Sequence, residues 1–298
     1  MLTKLSDLHQ MARARAKKKL VLAAAHDQNA LEAVVNAFEN GIVDVVLIGD
    51  KPLIEEICRK ADLDISAFVL LHEPDNNRAA ELSVKMVSEK KADILMKGHL
   101  GTSSLLRAVL NKEWGLRSGE LLSHLALFEM PAYHKIIALT DAAMNITPDL
   151  KGKVSIIKNA VNYLIKLGIN QPKVAVLSAV ETVNPDMKSS MEAAALAKMA
   201  ERGQISGCII DGPFAFDNAI SKKSAELKKI NSPVAGDADL LVGDDLDVSN
   251  ALYKSFIYFA QAKGAAIIVG ATAPIVLTSR ADSDETKLNS IALAAAIN

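Results

Sequence analysis

Lys97-Gly98-His99-Leu100-Gly101-Thr102 runs into Ser103-Ser104-Leu105-Leu106-Arg107, a string of side chains suited to holding an anion. The segment follows an apolar run, turns on two glycines and opens a helical pattern. A strand–turn–helix junction of this kind leaves backbone N–H groups free at the positive end of the helix dipole. Thr102 is placed to cap that helix, and Arg107 lies about a turn inside it. The glycines match neither a dinucleotide-binding nor a Walker pattern, so the same residues also read as an ordinary βα loop with a surface arginine.

A second segment, Thr278-Ser279-Arg280-Ala281-Asp282-Ser283-Asp284-Glu285, stands directly before the last helical pattern. Ser283, or Asp282 with Glu285, supplies a helix start signal. Ser279 and Arg280 then sit just outside a helix N-terminus, where hydroxyl, guanidinium and dipole can converge on one phosphoryl group. Three neighbouring carboxylates repel an anion unless they turn away as caps, and a solvated capping loop is the competing reading. The acidic stretch Asp237-Ala238-Asp239 to Gly243-Asp244-Asp245-Leu246-Asp247 lacks calcium-loop spacing, and aspartate is favoured in turns and caps in any case. Six histidines form no HxH or HxxxH pair, which argues against zinc, and no GxSxG nucleophile elbow is present. Cys58 and Cys208 lie far apart in apolar surroundings and read as buried thiols.

The elements that must position these residues follow an α/β rhythm of short apolar runs and longer helical patterns. Strands are expected at Leu20–Ala25, Val43–Gly49, Ile65–Leu71, Ala92–Lys97, Leu121–Phe128, Lys135–Leu139, Lys173–Leu177, Gly207–Asp211, Asp239–Val242, Ala265–Gly270 and Ile275–Leu277. Helices are expected near Asn29–Asn40, capped by Asp27 and stopped by Gly41, and at Lys51–Lys60, Arg78–Lys90, Leu150–Leu167, Ser190–Arg202 and Asp284–Ile297. No linker or internal repeat marks a domain boundary.

Composition narrows the function. The chain has 298 residues, with 34 Lys+Arg against 35 Asp+Glu for a net charge of −1, and half of it is hydrophobic. That excludes intrinsic disorder and lacks the basic excess of a dedicated nucleic-acid binder. Aromatics at 4% are too sparse for base-stacking platforms. Met1–Lys19 has no apolar core of signal-peptide type, and no apolar run reaches the ~20 residues of a membrane span. A soluble, cytoplasmic protein is expected.

Six segments in order resemble the phosphate acetyl/butyryl transferase family, most closely its butyryl branch: KGHLGTSSLLRAVL (97–110), TDAAMNITPD (140–149), DGPFAFDNAIS (211–221), SPVAGDADLLV (232–242), DLDVSNALYK (245–254) and APIVLTSRADS (273–283). The resemblance implies a two-domain α/β/α fold like that of the isocitrate and isopropylmalate dehydrogenases, with the substrate cleft between the domains. Residues 1–118 plus 269–298 would form one domain and 119–268 the other, the latter supplying much of a homodimer or larger homo-oligomer interface. The implied reaction moves a short acyl group reversibly between coenzyme A and inorganic phosphate by direct thiol attack. No permanently bound cofactor or metal, nucleic acid or membrane is implied; coenzyme A and phosphate are substrates.

The family's phosphoryl-binding Ser-Arg pair matches Ser279-Arg280, its substrate arginine Arg107, its loop threonine Thr102, and its N…YK segment Asn250, Tyr253 and Lys254. Lys97 and Thr278 lie within the same matched segments. One position departs. The carboxylate six residues after the Ser-Arg arginine, a base in phosphotransacetylases, is Thr286 here, which leaves Asp282, Asp284 or Glu285, phosphate or solvent to take the thiol proton. That departure favours the butyryl type. Two other readings stay open: a non-catalytic acyl-CoA or acyl-phosphate binder, and a metal- and NAD(P)-dependent decarboxylating dehydrogenase built on Asp244, Asp245 and Asp247.

Overall fold

The computed structural model describes residues 2–278 and 282–297. Buried aliphatic runs with little alternation form parallel strands covered on both faces. In the first third of the chain these are β1 (Lys18–Ala23), β2 (Val43–Gly49) and β4 (Ile94–Lys97), accompanied by the largely exposed edge strand β3 (Val69–His72) and separated by α2 (Gln28–Glu39), α3 (Lys51–Lys60) and α4 (Asn76–Ser88). Helix α1 (Ser6–Arg13) precedes them and α5 (Thr102–Val109) follows. The middle holds β5 (Ser123–Glu129), β6 (Ile137–Thr140), α6 (Leu150–Lys166), β7 (Lys173–Leu177), α7 (Lys188–Glu201), β8 (Ile209–Phe214), α8 (Phe216–Ile220), α9 (Lys222–Leu227), β9 (Leu240–Val242) and α10 (Leu246–Tyr258). The chain ends with β10 (Lys263–Val269), β11 (Ile275–Val276) and α11 (Asp284–Ala295).

Two compact units result. One comprises Ser6–Glu120 and the chain from Ala265 onward, with strand order β3-β2-β1-β4-β11-β10. All neighbours are parallel except β10, which runs antiparallel to β11. Helix α2 packs with α11, and α4 with α5. The other unit comprises Leu121–Gly264 with the N-terminal segment up to Leu5, in the order β5-β6-β9-β7-β8. There β5 is antiparallel to β6 and the remaining pairs are parallel.

Local signals explain most boundaries. Asp27 accepts from the Ala30 N–H at 3.0 Å as the N-cap of α2, and Gly41 terminates that helix at φ +70°. Asp50, Asp75 and Asp149 cap α3, α4 and α6 in the same way. The structure corrects three expectations. Strand β3 starts at Val69, not Ile65, because the segment ahead of it turns (Phe68 N–H to Ile65 C=O, 2.9 Å) and packs Phe68 edge-on against Phe38. Strand β8 runs through Gly212-Pro213 to Phe214 because it lies at the sheet edge, where proline's missing N–H leaves no ladder acceptor unpaired. Helix α5 takes Gly101 as its N-cap, with no side-chain cap, so Thr102 is the first helical residue and does not cap it.

Candidate active site

In the first unit, β1, β2 and β3 extend one way from the centre of the sheet while β4 and β11 lie on the other side of β1. The connection order therefore reverses between β1 and β4, and ligands of open α/β sheets bind outside the carboxyl ends of the strands at such a point. Lys97 is the last residue of β4, and its ammonium donates to the carbonyls of Gly98 (3.2 Å) and Leu100 (3.4 Å). The turn is tight: a Cβ on Gly98 would lie 2.4 Å from the Ala24 carbonyl oxygen, so only glycine lets the loops after β1 and β4 approach. Thr102 is exposed at the start of α5. Arg107 is exposed in the last turn of α5, with no ion pair among the described residues.

Strand β11 runs parallel to β4 with Val276 opposite Met96, so half-buried Thr278 leaves the sheet on the side where the Gly98 turn begins. Ser279 and Arg280 lie outside the described residues. Beyond them, Ser283 caps α11 by accepting the Thr286 N–H at 3.2 Å. Thr286 itself is buried with its hydroxyl 3.0 Å from that of Ser283, so it belongs to the cap. Asp282 is half-buried, and Asp284 pairs with the buried Lys287 ammonium at 3.2 Å.

In the second unit, α10 carries Asn250, Tyr253 and Lys254 within about one turn. The sequence reading missed this helix; Asp245, counted with an acidic cluster, is its N-cap and accepts from the Val248 N–H at 2.9 Å. Asn250 donates to the Ala142 carbonyl at 3.0 Å. Tyr253 packs edge-on to Phe128 and to the buried imidazole of His124, at ring distances of 5.2 and 5.8 Å. Lys254 is exposed.

The loop that Asn250 grips is organised by Asp141, buried at the end of β6, which accepts from the Ala143 and Met144 N–H groups at 3.0 Å and from the Asn145 amide. Asp141 and Asn145 fall within TDAAMN, but only the folded loop reveals their partnership.

Four further acidic residues are engaged as well. Asp244 and Glu192 flank the buried Lys153, and Asp237 and Asp239 bind Lys135. Burial opposes ionisation of Asp237, yet hydrogen bonds from Lys173, Lys135 and His134 hold its carboxyl well below the usual carboxylate range. Among the described residues, no group of three or more His, Cys, Asp or Glu is arranged to hold a metal ion. Burial pushes the Cys208 thiol up to about 11, and raises that of Cys58 as well, so neither is a ready nucleophile.

A family model described as "Phosphate acetyl/butaryl transferase" matches residues 4–84 and 72–295. The chain belongs to this family. It is accordingly an enzyme of the phosphate acyltransferase type, butyryl or acetyl. It is 48% identical to the phosphate butyryltransferase of Clostridium beijerinckii over 94% of this chain and 93% of that one. It is 42% identical to the phosphate acetyltransferase of Thermotoga maritima over 98% of each. Among solved structures, a branched-chain phosphotransacylase from Enterococcus faecalis superposes with a TM-score of 0.83 at 34% identity, covering 93% of this chain and 97% of that one. The α/β fold extends to a 4-hydroxythreonine-4-phosphate dehydrogenase from Klebsiella pneumoniae (TM-score 0.59, 13% identity, 94% of this chain and 98% of that one), a likeness of fold alone. Among the described residues of this transferase, no helix is long and apolar enough to cross a membrane.

Proposed function

We propose that this phosphate acyltransferase is of butyryl type, acts in the cytoplasm and moves a short acyl group between coenzyme A and inorganic phosphate by direct attack in a ternary complex. The observation that carries the reading is the convergence of Lys97, Thr102 and Thr278 at the carboxyl ends of the adjacent parallel strands β4 and β11. Lys97 and the N-terminus of α5, which has no side-chain cap, bring an ammonium and backbone N–H groups to that place, as polyanionic substrates require. Ser279 and Arg280 bind the phosphoryl group, and Arg107 helps to neutralise it. Asn250, Tyr253 and Lys254 are assigned to substrate binding as well.

In the direction of thioester synthesis, the coenzyme A thiol gives up its proton, its sulfur forms a bond to the acyl carbonyl carbon, and the carbon–oxygen bond to phosphate breaks with the electron pair leaving on phosphate. Asp282 and Asp284 are the carboxylates assigned to that proton, because Thr286 is not a base. The two domains are read as residues 1–118 plus 269–298 and residues 119–268.

Following thiol release from acetyl-, butyryl- and isobutyryl-CoA with and without phosphate tests the reaction. Release that depends on phosphate and is fastest with the four-carbon chains is the expected result. Equal release without phosphate would make the chain a thioesterase, and acyl-CoA binding without release would make it a non-catalytic binder.

The second unit is also proposed to join copies of the chain. Phe259 is 89% exposed, and the same unit holds an apolar cavity of about 280 Å³ lined by Tyr133, Phe216, Phe256 and Phe259. A protruding aromatic and an apolar hollow on one unit suit a self-complementary interface. Phe259→Asp is expected to shift the mass seen by light scattering towards monomer; an unchanged oligomer would remove this face from the interface.

A further inference from the structure

The strands flanking the reversal point of the first unit lead into two histidines that the reaction above does not use. His26 follows β1 and His99 follows β4, with ring centroids 5.1 Å apart and planes inclined at 49°. Backbone contacts enforce the approach: the Gly98 N–H donates to Ala23 at 2.9 Å and the His99 N–H to Ala24 at 2.7 Å. Behind His26, a Cβ on Gly49 would fall 3.2 Å from His26 Nδ1, so the ring rests against the end of β2. His26 is half-buried and its buried Nδ1 has no hydrogen-bond partner, while His99 is exposed. The His99 carbonyl accepts from Asn76 at 2.8 Å. The pair is thus built into the scaffold and open on one side.

The charged and titratable groups around it are Asp27 and Asp50 at the heads of α2 and α3, Asp75 at the head of α4, and Lys97 in the same turn as His99. Each aspartate already accepts the N–H of the helix it caps. Burial, and then the neighbouring His99, hold the His26 imidazole below its ordinary value, with Asp50 and Asp27 opposing. Burial thus opposes protonation of His26 when nothing is bound, and an anion at the pair would favour it.

We propose that His26 and His99 form a proton-linked anion subsite, in which a phosphoryl group of the substrate docks at the ends of β1 and β4 and is met by protonated imidazole, so that binding takes up protons. This rests on the proposed function, which supplies the phosphate-bearing substrates. The linkage has a definite sign. An anion raises the imidazole pKa in the complex above that of the free protein, so affinity is lowest above both values and grows as pH falls through the bound-state value towards the free-state value.

Inorganic sulfate, a phosphate mimic whose own charge is constant from pH 5.5 to 8, isolates the protein's contribution. Its affinity is measured by calorimetry on the full chain, His26→Asn, His99→Asn and the double variant, with coenzyme A titrated at pH 8 as the reference ligand. Sulfate is expected to bind about tenfold more tightly at pH 5.5 than at pH 8 in the parent, and to change less than about twofold in the double variant. An equal pH response in parent and variants, a flat response in the parent, or coenzyme A binding with no sulfate binding would each overturn the subsite. Absence of coenzyme A binding would instead overturn the proposed function, and the subsite with it. Exposed His99 can be replaced without disturbing the core, so His99→Asn carries the test if His26→Asn melts early.

Discussion

Arg280→Ala is expected to slow phosphate-dependent thiol release by roughly ten- to a hundredfold, because one charge-assisted hydrogen bond to phosphate contributes about 1.5–3 kcal/mol. Ser279→Ala should produce a similar loss through a hydroxyl donor to the same group. Unchanged melting temperatures in both variants would tie the loss to the reaction and not to the fold. Arg280→Lys is a sharper probe. It keeps the charge but loses the planar fork that pairs two donors with two phosphate oxygens, and should fall between the parent and the alanine variant. A rise in KM for phosphate with kcat intact would assign the contact to ground-state binding, and an equal fall in kcat and kcat/KM to the transition state. Full activity in both alanine variants would remove the phosphate site from this segment.

The second large effect concerns stability. Lys153 is 3% exposed on α6, and its ammonium meets Glu192 on α7 at 2.6 Å and Asp244 just after β9. One charge thus holds two helices to the strand end that leads into α10. Lys153→Ala leaves Glu192 with only the exposed Lys188, at 3.5 Å, and takes from Asp244 the buried ammonium it meets. Breaking such a pair from one side costs on the order of 3 kcal/mol, which corresponds to a fall in melting temperature of about 6–12 °C. Glu192→Gln should cost less, because Asp244 still neutralises the lysine. Calorimetric melting of the three proteins decides it: a shift under about 2 °C for Lys153→Ala would mean that water replaces the lost partner.

Much of the architecture was legible in order along the chain. Asp27, Asp50 and Asp149 stand before apolar-periodic runs, and Gly41 stands after one; these local rules hold whatever surrounds them. Strand β7 and helix α3 occupy the residues their apolar patterns mark. Legibility failed where a distant partner decides the outcome. The expected strand ends at Asp211, whereas β8 runs on through Pro213 because it lies at a sheet edge. Asp244 and Asp245 lie in one acidic stretch whose spacing reads as turn and cap chemistry, but their separate partners appear only in the fold, one on Lys153, 91 residues away, and the other at the head of α10.

The family, and with it the phosphate acyltransferase chemistry, is carried by the linear order of residue types, because motifs such as KGHLGTSSLLR bring their own turn and helix start. Tertiary structure decided which of those motifs become neighbours. Parallel pairing of β11 with β4 brings Thr278 alongside the Gly98 turn, 180 positions away in sequence, in a register no local signal encodes. The same crossover geometry sets His26 against His99. Pairing between strands distant in sequence is selected by burial of whole faces and satisfaction of backbone hydrogen bonds, and those terms exist only once the sheet has assembled.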